Sequence, residues 1–364
     1  MMLSAGNGFI MQSEKYSRDN AGQSLKKYIL LKKGELAYNH GASKAKQYGC
    51  CYELTENEAR IPYVYHCFKI SGTEHTPYVA TALNNPKIDR QLKRLVSSSV
   101  RMDGLLNISF DDYMSVILHL PSLKEQTHIA DFLKKLDERI TAQEKLVASL
   151  KKYKRGLLNA FFAEKSDYFL LADTSVLKIE EVCDVLSGKR IPKGETFCSH
   201  PTEYRYISVS DMGEKYVCSD NLQYISKHTE KQISRYKVKG GDIIISVAGT
   251  LGKLNIITSD LGGVNLTENC DRFTNFRGVG SEYLYYVLSS DLIQSQIESS
   301  KTKNGQPKLA LERIRNFTIP VPHQEIQEQL VKVMISLDQY IASQLAILDR
   351  YCKLRRGLLQ QLFI

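Results

Sequence analysis

The stretch LPSLKEQTHIADFLKKLDERITAQEKLVASLKKYKRGLLNAFF at residues 120–162 recurs as VPHQEIQEQLVKVMISLDQYIASQLAILDRYCKLRRGLLQQLF at residues 321–363. Aligned residues lie 201 positions apart, so Asp137 matches Asp338. Apolar residues recur in alternating steps of four and three. The seam positions of the first copy are 129, 133, 136, 140, 143, 147, 150, 154, 157 and 161. This 3.5-residue spacing predicts two long helices that each carry a coiled-coil seam.

Two seam positions are polar in both copies. Gln143 and Gln344 occupy one, and Lys154 and Arg355 occupy the other. A buried amide costs stability unless it finds a partner, and it can fix the register of a coiled coil. The long basic side chains are expected to run along the seam and keep their charges in water. These matching exceptions favour two helices that pack on each other. Because the termini of a domain tend to lie close together, the second helix is expected to run back along the first in an antiparallel coiled coil about 50 Å long. Two separate amphipathic helices of similar ancestry are the alternative.

A basic run, Lys151-Lys-Tyr-Lys-Arg155, stands towards the end of the first helix. It could bind nucleic acid, but the second helix carries a similar run at its own end. We therefore expect its cations to interact favourably with the helix dipole. Docking of a partner protein is the second interpretation.

The remaining sequence alternates strand-like patches with turn signals and one helical pattern. Residues 204–209, 242–247 and 273–276 read as strands, and residues 283–297 read as a helix. This mixture predicts an α+β fold. The expected organisation is a first globular domain, a central helix, a second globular domain and a C-terminal helix, at residues 1–119, 120–163, 164–320 and 321–364.

The two globular domains share a sequence frame. Residues 33–38 match residues 240–245, and residues 108–110 match residues 309–311. Nothing in the first domain corresponds to residues 178–193. We therefore expect the first domain to be truncated at its N-terminus and to leave an unpaired strand edge. The alternative is that this domain never had the segment.

Composition narrows the function classes. The chain has 364 residues and a formal charge of +9, which favours a polyanionic partner but also fits a merely basic protein. Its eight cysteines form no Cys-x-x-Cys pair and its eight histidines are scattered, so we expect no metal site and no cofactor. No apolar run reaches the roughly 18 residues of a membrane span. Reduced thiols in the cytoplasm are the expected state.

The motifs, taken in order, resemble those of the specificity subunit of type I restriction–modification enzymes. The second domain contains LSGKRIPK at residues 186–193, YISVSDM at 206–212 and GDIIISVAGTLGK at 241–253. Both helices follow a Leu-Pro or Val-Pro pair and end in a basic residue followed by Arg-Gly-Leu-Leu. No single motif is diagnostic, but their order and duplication are specific, and the resemblance covers nearly the whole chain.

The resemblance implies a non-catalytic subunit that recognises double-stranded DNA. Each globular domain would be a target-recognition domain that reads one half of a bipartite sequence. The paired helices would act as a ruler and as the docking site for two methyltransferase subunits. A motor-nuclease subunit would join through those. The short first domain departs from this pattern and puts recognition of the first half-site in doubt.

Residues in polar, basic or glycine-rich loops are the candidate DNA contacts, since cations and backbone amides can approach phosphates there. A solvated surface loop is the alternative for each of them. The candidates in the first domain are Asn39, Ser43, Lys44, Lys46 and Arg101. Those in the second domain are Lys189, Arg190, Lys193, Gly249, Thr250, Lys253, Lys301, Lys303, Asn304, Gln306 and Lys308.

Two other function classes remain as alternatives. An enzyme acting on DNA would need a methyltransferase motif, a phosphate-binding loop or clustered carboxylates. The acidic cluster Glu180, Glu181 and Asp184 is expected on a helix or turn that opens the second domain, not at a nuclease site. A truncated or silent specificity cassette that acts only as a protein-binding coiled-coil adaptor is the second alternative.

Overall fold

The computed structural model describes residues 1–6, 8–15, 27–43, 46–96, 106–163, 174–299 and 308–363. These residues form two compact units. The first unit comprises Met1–Lys145 and Leu345–Ile364, and the second comprises Leu146–Gln344. Two helices of 39 residues each, α5 (Leu123–Phe161) and α11 (Gln324–Leu362), contribute to both units. The four predicted segment limits stay a prediction.

Both long helices begin two residues after a proline, as the sequence indicated. Ser122 and Glu125 form reciprocal bonds at the start of α5, and these satisfy backbone donors at the helix end. The Gln126 amide donates to the Pro121 carbonyl at 2.9 Å, and Gln327 donates to Pro322 at the same distance. None of the predicted seam positions is exposed in either helix. The prediction of two long helices with a covered face is confirmed.

The first unit contains short antiparallel strand groups and small helices. Strand β4 lies between β5 and β7, β1 pairs with β2, and β3 pairs with β6. The strands are β1 (Met2–Ser4), β2 (Gly8–Ile10), β3 (Ile29–Lys32), β4 (Leu36–Asn39), β5 (Cys50–Glu53), β6 (Glu58–Ile61) and β7 (His66–Phe68); the helices are α1 (Gln12–Lys15), α2 (Thr76–Ala82), α3 (Pro86–Leu95) and α4 (Phe110–Met114). Helices α2, α3 and α4 pack on β4 through one apolar core.

The second unit has a larger core, built around a four-stranded sheet. The strands are β8 (Ser175–Lys178), β9 (Asp184–Ser187), β10 (Tyr204–Ile207), β11 (Gln223–Ile225), β12 (Ile243–Ser246), β13 (Leu254–Ile256), β14 (Asn265–Leu266), β15 (Cys270–Thr274) and β16 (Thr318–Val321). The sheet orders are β13-β12-β15-β9, β11-β10-β14 and β16-β8. The helices are α6 (Ile179–Val182), α7 (Lys227–Gln232), α8 (Ser281–Ser289), α9 (Asp291–Ser299) and α10 (Leu311–Arg315), with 3-10 turns at Val209–Asp211 and Ser259–Leu261.

The shared frame of the two domains stays a prediction, but the central strands of both units follow a similar turn. Gly34 precedes β4 with φ of 84°, and Gly241 precedes β12 with φ of 87°, a region that favours glycine. The Glu35 carboxylate accepts from the backbone N–H of Lys32 at 2.8 Å, and Asp242 accepts from that of Lys239 at 2.8 Å. The central strand of each unit therefore starts in the same way.

The single helix predicted at residues 283–297 is wrong, because the structure has two helices there. Ser290 separates α8 from α9 with an extended backbone, φ −74° and ψ 158°. Its hydroxyl donates to the Val287 carbonyl at 2.6 Å, and its carbonyl accepts from the Gln294 N–H at 3.0 Å. A serine that bonds to nearby backbone competes with a continuous helix, and apolar periodicity alone does not reveal this.

The expectation that Lys154 and Arg355 keep their charges in water is also wrong. Within the second unit, Lys154 forms an ion pair with Asp338, and both side chains are less than a quarter exposed. Within the first unit, the Arg355 guanidinium donates to Asp137, with Nη2 3.0 Å from Oδ2. Hydrogen bonding to Asp137 raises the pKa of Arg355. Each charge pairs with an acid on the other helix, and the Lys154–Asp338 pair is less exposed to water than the Arg355–Asp137 pair.

The basic run Lys151–Arg155 does not act through the helix dipole. The run ends six residues before Phe161, beyond the last turn where the dipole is effective. Lys151 pairs with Glu214 at 2.6 Å, and Arg155 pairs with Asp291 at 2.8 Å. These cations attach α5 to loops and helices of the second unit.

The fold is a mixture of helix and strand, as the sequence predicted. Within the described ranges, no helix combines the length and the apolar character that a membrane span needs.

Candidate nucleic-acid interface

Loops of the second unit converge at one edge of its four-stranded sheet. Strands β9 and β12 both pair antiparallel with β15, so β9 and β12 run in the same direction. Their carboxyl ends therefore lie at the same edge, together with the starts of β13 and β15. Backbone bonds tie the loops together there. The N–H of Lys189 donates to the Leu266 carbonyl at 2.8 Å, and that of Val247 donates to Asn269 at 2.8 Å.

The loop after β9 places three predicted cations at this edge. Lys189, Arg190 and Lys193 are all exposed. The ammonium of Lys189 lies 5.9 Å from the ring centroid of Tyr236. Arg190 donates to Glu268 at 2.5 Å, and its side chain remains 78% exposed. Because an exposed ion pair of this kind is weak, a phosphate can compete with Glu268 for the guanidinium.

Burial raises the pKa of Glu268, but the bonds that this carboxylate accepts from Arg190 and Thr267 lower it further, so its net value lies below the usual one. The carboxylate is therefore charged at neutral pH and holds the Arg190 guanidinium in place.

The loop after β12 presents backbone at the same edge. Gly249 and Thr250 are exposed, and Gly249 has φ of 74°, which few other residues adopt without strain. The Ser246 hydroxyl closes the loop by donating to the Thr250 carbonyl at 2.5 Å and accepting from the Lys253 N–H at 2.9 Å. The ammonium of Lys253 donates to the Met212 carbonyl, so this predicted contact residue already serves a structural bond.

Lys308 joins this group through a backbone bridge between Lys308 and Ala248. Its side chain is exposed. Beneath it, burial raises the pKa of Asp271 to about 6, against the hydrogen bond from Ser187 and the charges of Lys308 and Arg315. The described cations of the edge thus include Lys189, Arg190, Lys193 and Lys308.

Several predicted contact residues lie outside the described residues. They are Lys44, Arg101, Lys301, Lys303, Asn304 and Gln306.

Three predicted residues of the first unit, Asn39, Ser43 and Lys46, are described, and they lie at the end of β4 and in the loop after it. The Asn39 amide donates to the Leu3 carbonyl at 3.3 Å and accepts from the Gly41 N–H at 2.9 Å. The Lys46 ammonium donates to the Asn84 carbonyl at 3.0 Å, and Ser43 accepts from the Lys46 N–H at 3.1 Å. These side chains hold the loop in shape, and their proposed contact with DNA stays untested.

The register residues Gln143 and Gln344 are both half-buried, which fits seam positions. Their role in fixing the register stays a prediction.

Sequence reasoning missed two residues of the edge. Glu268 orients Arg190, and Tyr236 lies beneath Lys189. The polar residues 267–269 lie shortly before the strand-like patch that begins at Phe273, so topological reasoning about strand ends could have found Glu268. Tyr236 carries no local signal, since only the folded chain brings it to Lys189.

This edge fits the binding of a polyanion. It combines exposed cations, which neutralise phosphates, with a glycine-containing loop that lets a backbone amide approach closely.

Comparison with known families identifies the class of this unit. Residues 172–349 match the family described as the type I restriction modification DNA specificity domain. That stretch of the chain matches the family, and it contains every described cation of the edge. The resemblance drawn from the sequence is confirmed.

Curated relatives narrow the comparison to type I specificity subunits. The chain is 23% identical over 261 residues to the type I restriction enzyme MjaVIII specificity subunit of Methanocaldococcus jannaschii, and 24% identical over 269 residues to the EcoBI specificity subunit of Escherichia coli. Each alignment covers 68% of this chain, but only 61% and 56% of those two relatives.

Solved structures agree on the fold. A chain from a structure concerned with complex assembly and conformational transition of the type I R-M system matches 92% of this chain and 82% of its own length, with a TM-score of 0.60 and 17% identity. The S subunit of a type I restriction-modification system from M. genitalium matches 92% of this chain and 83% of its own length, with a TM-score of 0.52 and 16% identity.

Proposed function

We propose that this chain is the DNA-recognition subunit of a type I restriction–modification complex. The observation that carries this proposal is the convergence of Lys189, Arg190, Lys193 and Lys308 beside the Gly249 loop, within a type I DNA specificity domain. The cations would position the phosphate backbone, and amide and guanidinium groups would read base edges. The subunit itself would be non-catalytic.

Two contacts support the absence of a nuclease centre in the acidic cluster. Asp184 accepts from Asn275 at 2.7 Å and from Arg277 at 2.8 Å. The bonds from Asn275 and Arg277 lower the pKa of Asp184. Its carboxylate thus has structural partners at the start of β9, and Glu181 accepts from the Lys178 N–H at 2.6 Å.

The target would be bipartite, with one half read by each unit. The shared turn before β4 and β12 supports this division, since both units then present loops after an equivalent central strand. The two halves would differ in sequence because the loops differ. In the first unit, Lys46 and Asn39 are engaged in bonds to backbone, so recognition there would depend more on residues of neighbouring loops.

The long helices would form an antiparallel coiled coil that docks two methyltransferase subunits, through which a motor-nuclease subunit joins. Two ion pairs support the pairing of the helices. Asp137 of α5 bonds Arg355 of α11 in the first unit, and Lys154 of α5 bonds Asp338 of α11 in the second. In the aligned sequences, Asp137 matches Asp338 and Lys154 matches Arg355. The two ion pairs therefore join the same two aligned positions, with the acid on α5 in one pair and on α11 in the other.

DNA binding is tested by replacing Lys189 and Lys193 with alanine. The protein, with methyltransferase subunits added, would be titrated with duplexes that carry the target found by methylation mapping of a genome with and without the gene. We expect affinity to fall at least tenfold and the salt dependence to weaken by about two phosphate contacts.

The matched control replaces Lys178 and Lys239 with alanine. This control removes the same charge outside the proposed interface, at the end of β8 and before β12, and we expect it to leave affinity nearly unchanged. A chain that binds no duplex at any ionic strength, even with its partners, would establish the protein-binding adaptor instead.

A further inference from the structure

Two equivalent surfaces of the units differ in what covers them. In the second unit, β9 pairs with β15 and β8 pairs with β16, so residues 175–187 lie over that side of the core. Among the described residues of the first unit, β7 pairs with β4 alone. Residues 117–120, the counterparts of β16, belong to no strand.

Apolar side chains at matching positions of the two units are buried to different extents, because strands β8 and β9 lie over those of the second unit. Phe273 pairs with the first residue of β12, and Phe68 pairs with the first residue of β4. Phe273 is fully buried, whereas Phe68 is half-buried. Likewise Ile319 is fully buried, whereas its counterpart Leu118 is half-buried. Among its described residues, the first unit therefore has the same apolar positions without the covering strands.

We name the uncovered region of the first unit the open face. It consists of the outer edge of β7 and four apolar side chains, Phe110 (43% exposed), Met114 (46%), Ile117 (64%) and Leu120 (38%). The His66 ring lies 5.7 Å from Phe110, and Phe68 lies 5.9 Å from Tyr113, so β7 and α4 adjoin. An apolar patch beside an unpaired strand edge is a docking surface for polypeptide.

In the open face, one side chain bonds to backbone groups whose counterparts in the second unit pair with a strand. The Gln91 amide donates to the Ile117 carbonyl at 2.9 Å and accepts from the Ile117 N–H at 3.0 Å. The matching residue Thr318 pairs instead with Lys178 of β8. Gln91 thus supplies one donor and one acceptor that an added strand would supply.

We propose that the open face binds a segment of another polypeptide that forms a strand, a helical turn and a second strand. The second unit shows the required chemistry. Its covering segment buries Ile179, Val182 and Val185 to 2% exposure or less. Its backbone pairs as two strands with β15 and β16. A segment with apolar residues at those three positions would supply both the backbone hydrogen bonds to neighbouring strands and the buried apolar surface. This proposal does not depend on DNA binding.

The probe is a synthetic peptide that reproduces residues 174–188 with Cys183→Ser, titrated into the whole chain. We expect saturable binding with one site per chain. We also expect slower amide hydrogen exchange at His66–Phe68 and at residues 116–120. A peptide that also carries Ile179→Asp and Val185→Asp should bind at least tenfold more weakly, since charges would enter an apolar contact.

Variants of the chain locate the site. Ile117→Glu should lower peptide affinity at least tenfold. Val176→Glu changes an equally exposed apolar residue of the second unit and should leave peptide affinity unchanged. The absence of saturable binding, binding that is insensitive to Ile117→Glu, or protection confined to Cys270–Thr274 would overturn the proposal. Dimerisation of the chain that Ile117→Glu abolishes, without peptide binding, would assign the face to a second copy and overturn it as well.

Discussion

The two units start their central strands with the same turn but bury that frame to different extents. In the second unit, residues 175–187 add a strand beside β15 and another beside β16. In the first unit the same positions are partly open, and Gln91 holds the backbone of Ile117. The difference indicates that a matching turn sets how a central strand begins, whereas burial depends on which segments lie over that strand.

The largest expected difference concerns the two matching phenylalanines. Phe273→Ala should lower the free energy of unfolding of the second unit by about 4 kcal/mol, because it removes a fully buried ring. Phe68→Ala should lower that of the first unit by about 2 kcal/mol, because part of this ring is already in water. Urea unfolding, with hydrogen exchange to assign each unit, measures both losses. Equal losses would contradict the difference in cover.

The next difference concerns the two matching aspartates. Asp338 accepts from Tyr286 at 2.6 Å and pairs with both Lys154 and Lys215, whereas Asp137 pairs with Arg355 and is nearly half exposed. Asp338→Ala should therefore cost about 3 kcal/mol, since it leaves a buried lysine with fewer partners. Asp137→Ala should cost about 1 kcal/mol.

Thermal and urea unfolding of both variants measure these costs. Asp338→Asn is the control, because it retains an acceptor for Tyr286 and should lose less than the alanine variant. An Asp137 variant that is the more destabilised of the two would reverse the ranking.

The titrating residues of β15 and β7 should give the units opposite pH dependences. Asp271 and His66 face equivalent positions of the central strands. Burial raises the pKa of Asp271 from 3.8 to about 6, so the folded state binds more protons and the second unit loses stability as pH rises from about 4 to 6. Burial lowers the pKa of His66 below 6.5, so the first unit loses stability as pH falls below that value.

Asp271→Asn should therefore stabilise the second unit by about 2 kcal/mol at pH 7.5 and by much less at pH 4.5. Urea unfolding at both pH values gives the difference. His66→Gln is the paired variant and should reduce the loss of stability in the first unit at acid pH. An Asp271 variant whose effect is the same at both pH values would rule out titration as the cause.

The smallest effect is expected at Gln91. Gln91→Ala removes two hydrogen bonds to the backbone of Ile117, which water can replace at this exposed site. The first unit should lose only about 0.5–1 kcal/mol. The affinity of the 174–188 peptide for this variant should not fall, since the strand would satisfy the same backbone groups. Weaker binding of the peptide would show that Gln91 itself contacts it.

The sequence by itself determined the elements that local chemistry controls. The 3.5-residue spacing located both long helices and their covered face, because the pattern of apolar residues repeats with each turn. The Gly34 and Gly241 turns were visible as matched glycine–acid pairs before each central strand. The loop of Lys189, Arg190 and Lys193 was visible as a polar, basic stretch.

Only the tertiary structure decided which partners those residues meet. Lys154 and Arg355 look like seam residues with solvated charges, yet each pairs with an acid far away in the chain. Lys253 looks like a contact residue, yet its ammonium bonds the Met212 carbonyl. The physical reason is that helix and turn formation depend on neighbours within a few residues, whereas desolvation of a charge depends on whatever segment folding brings beside it.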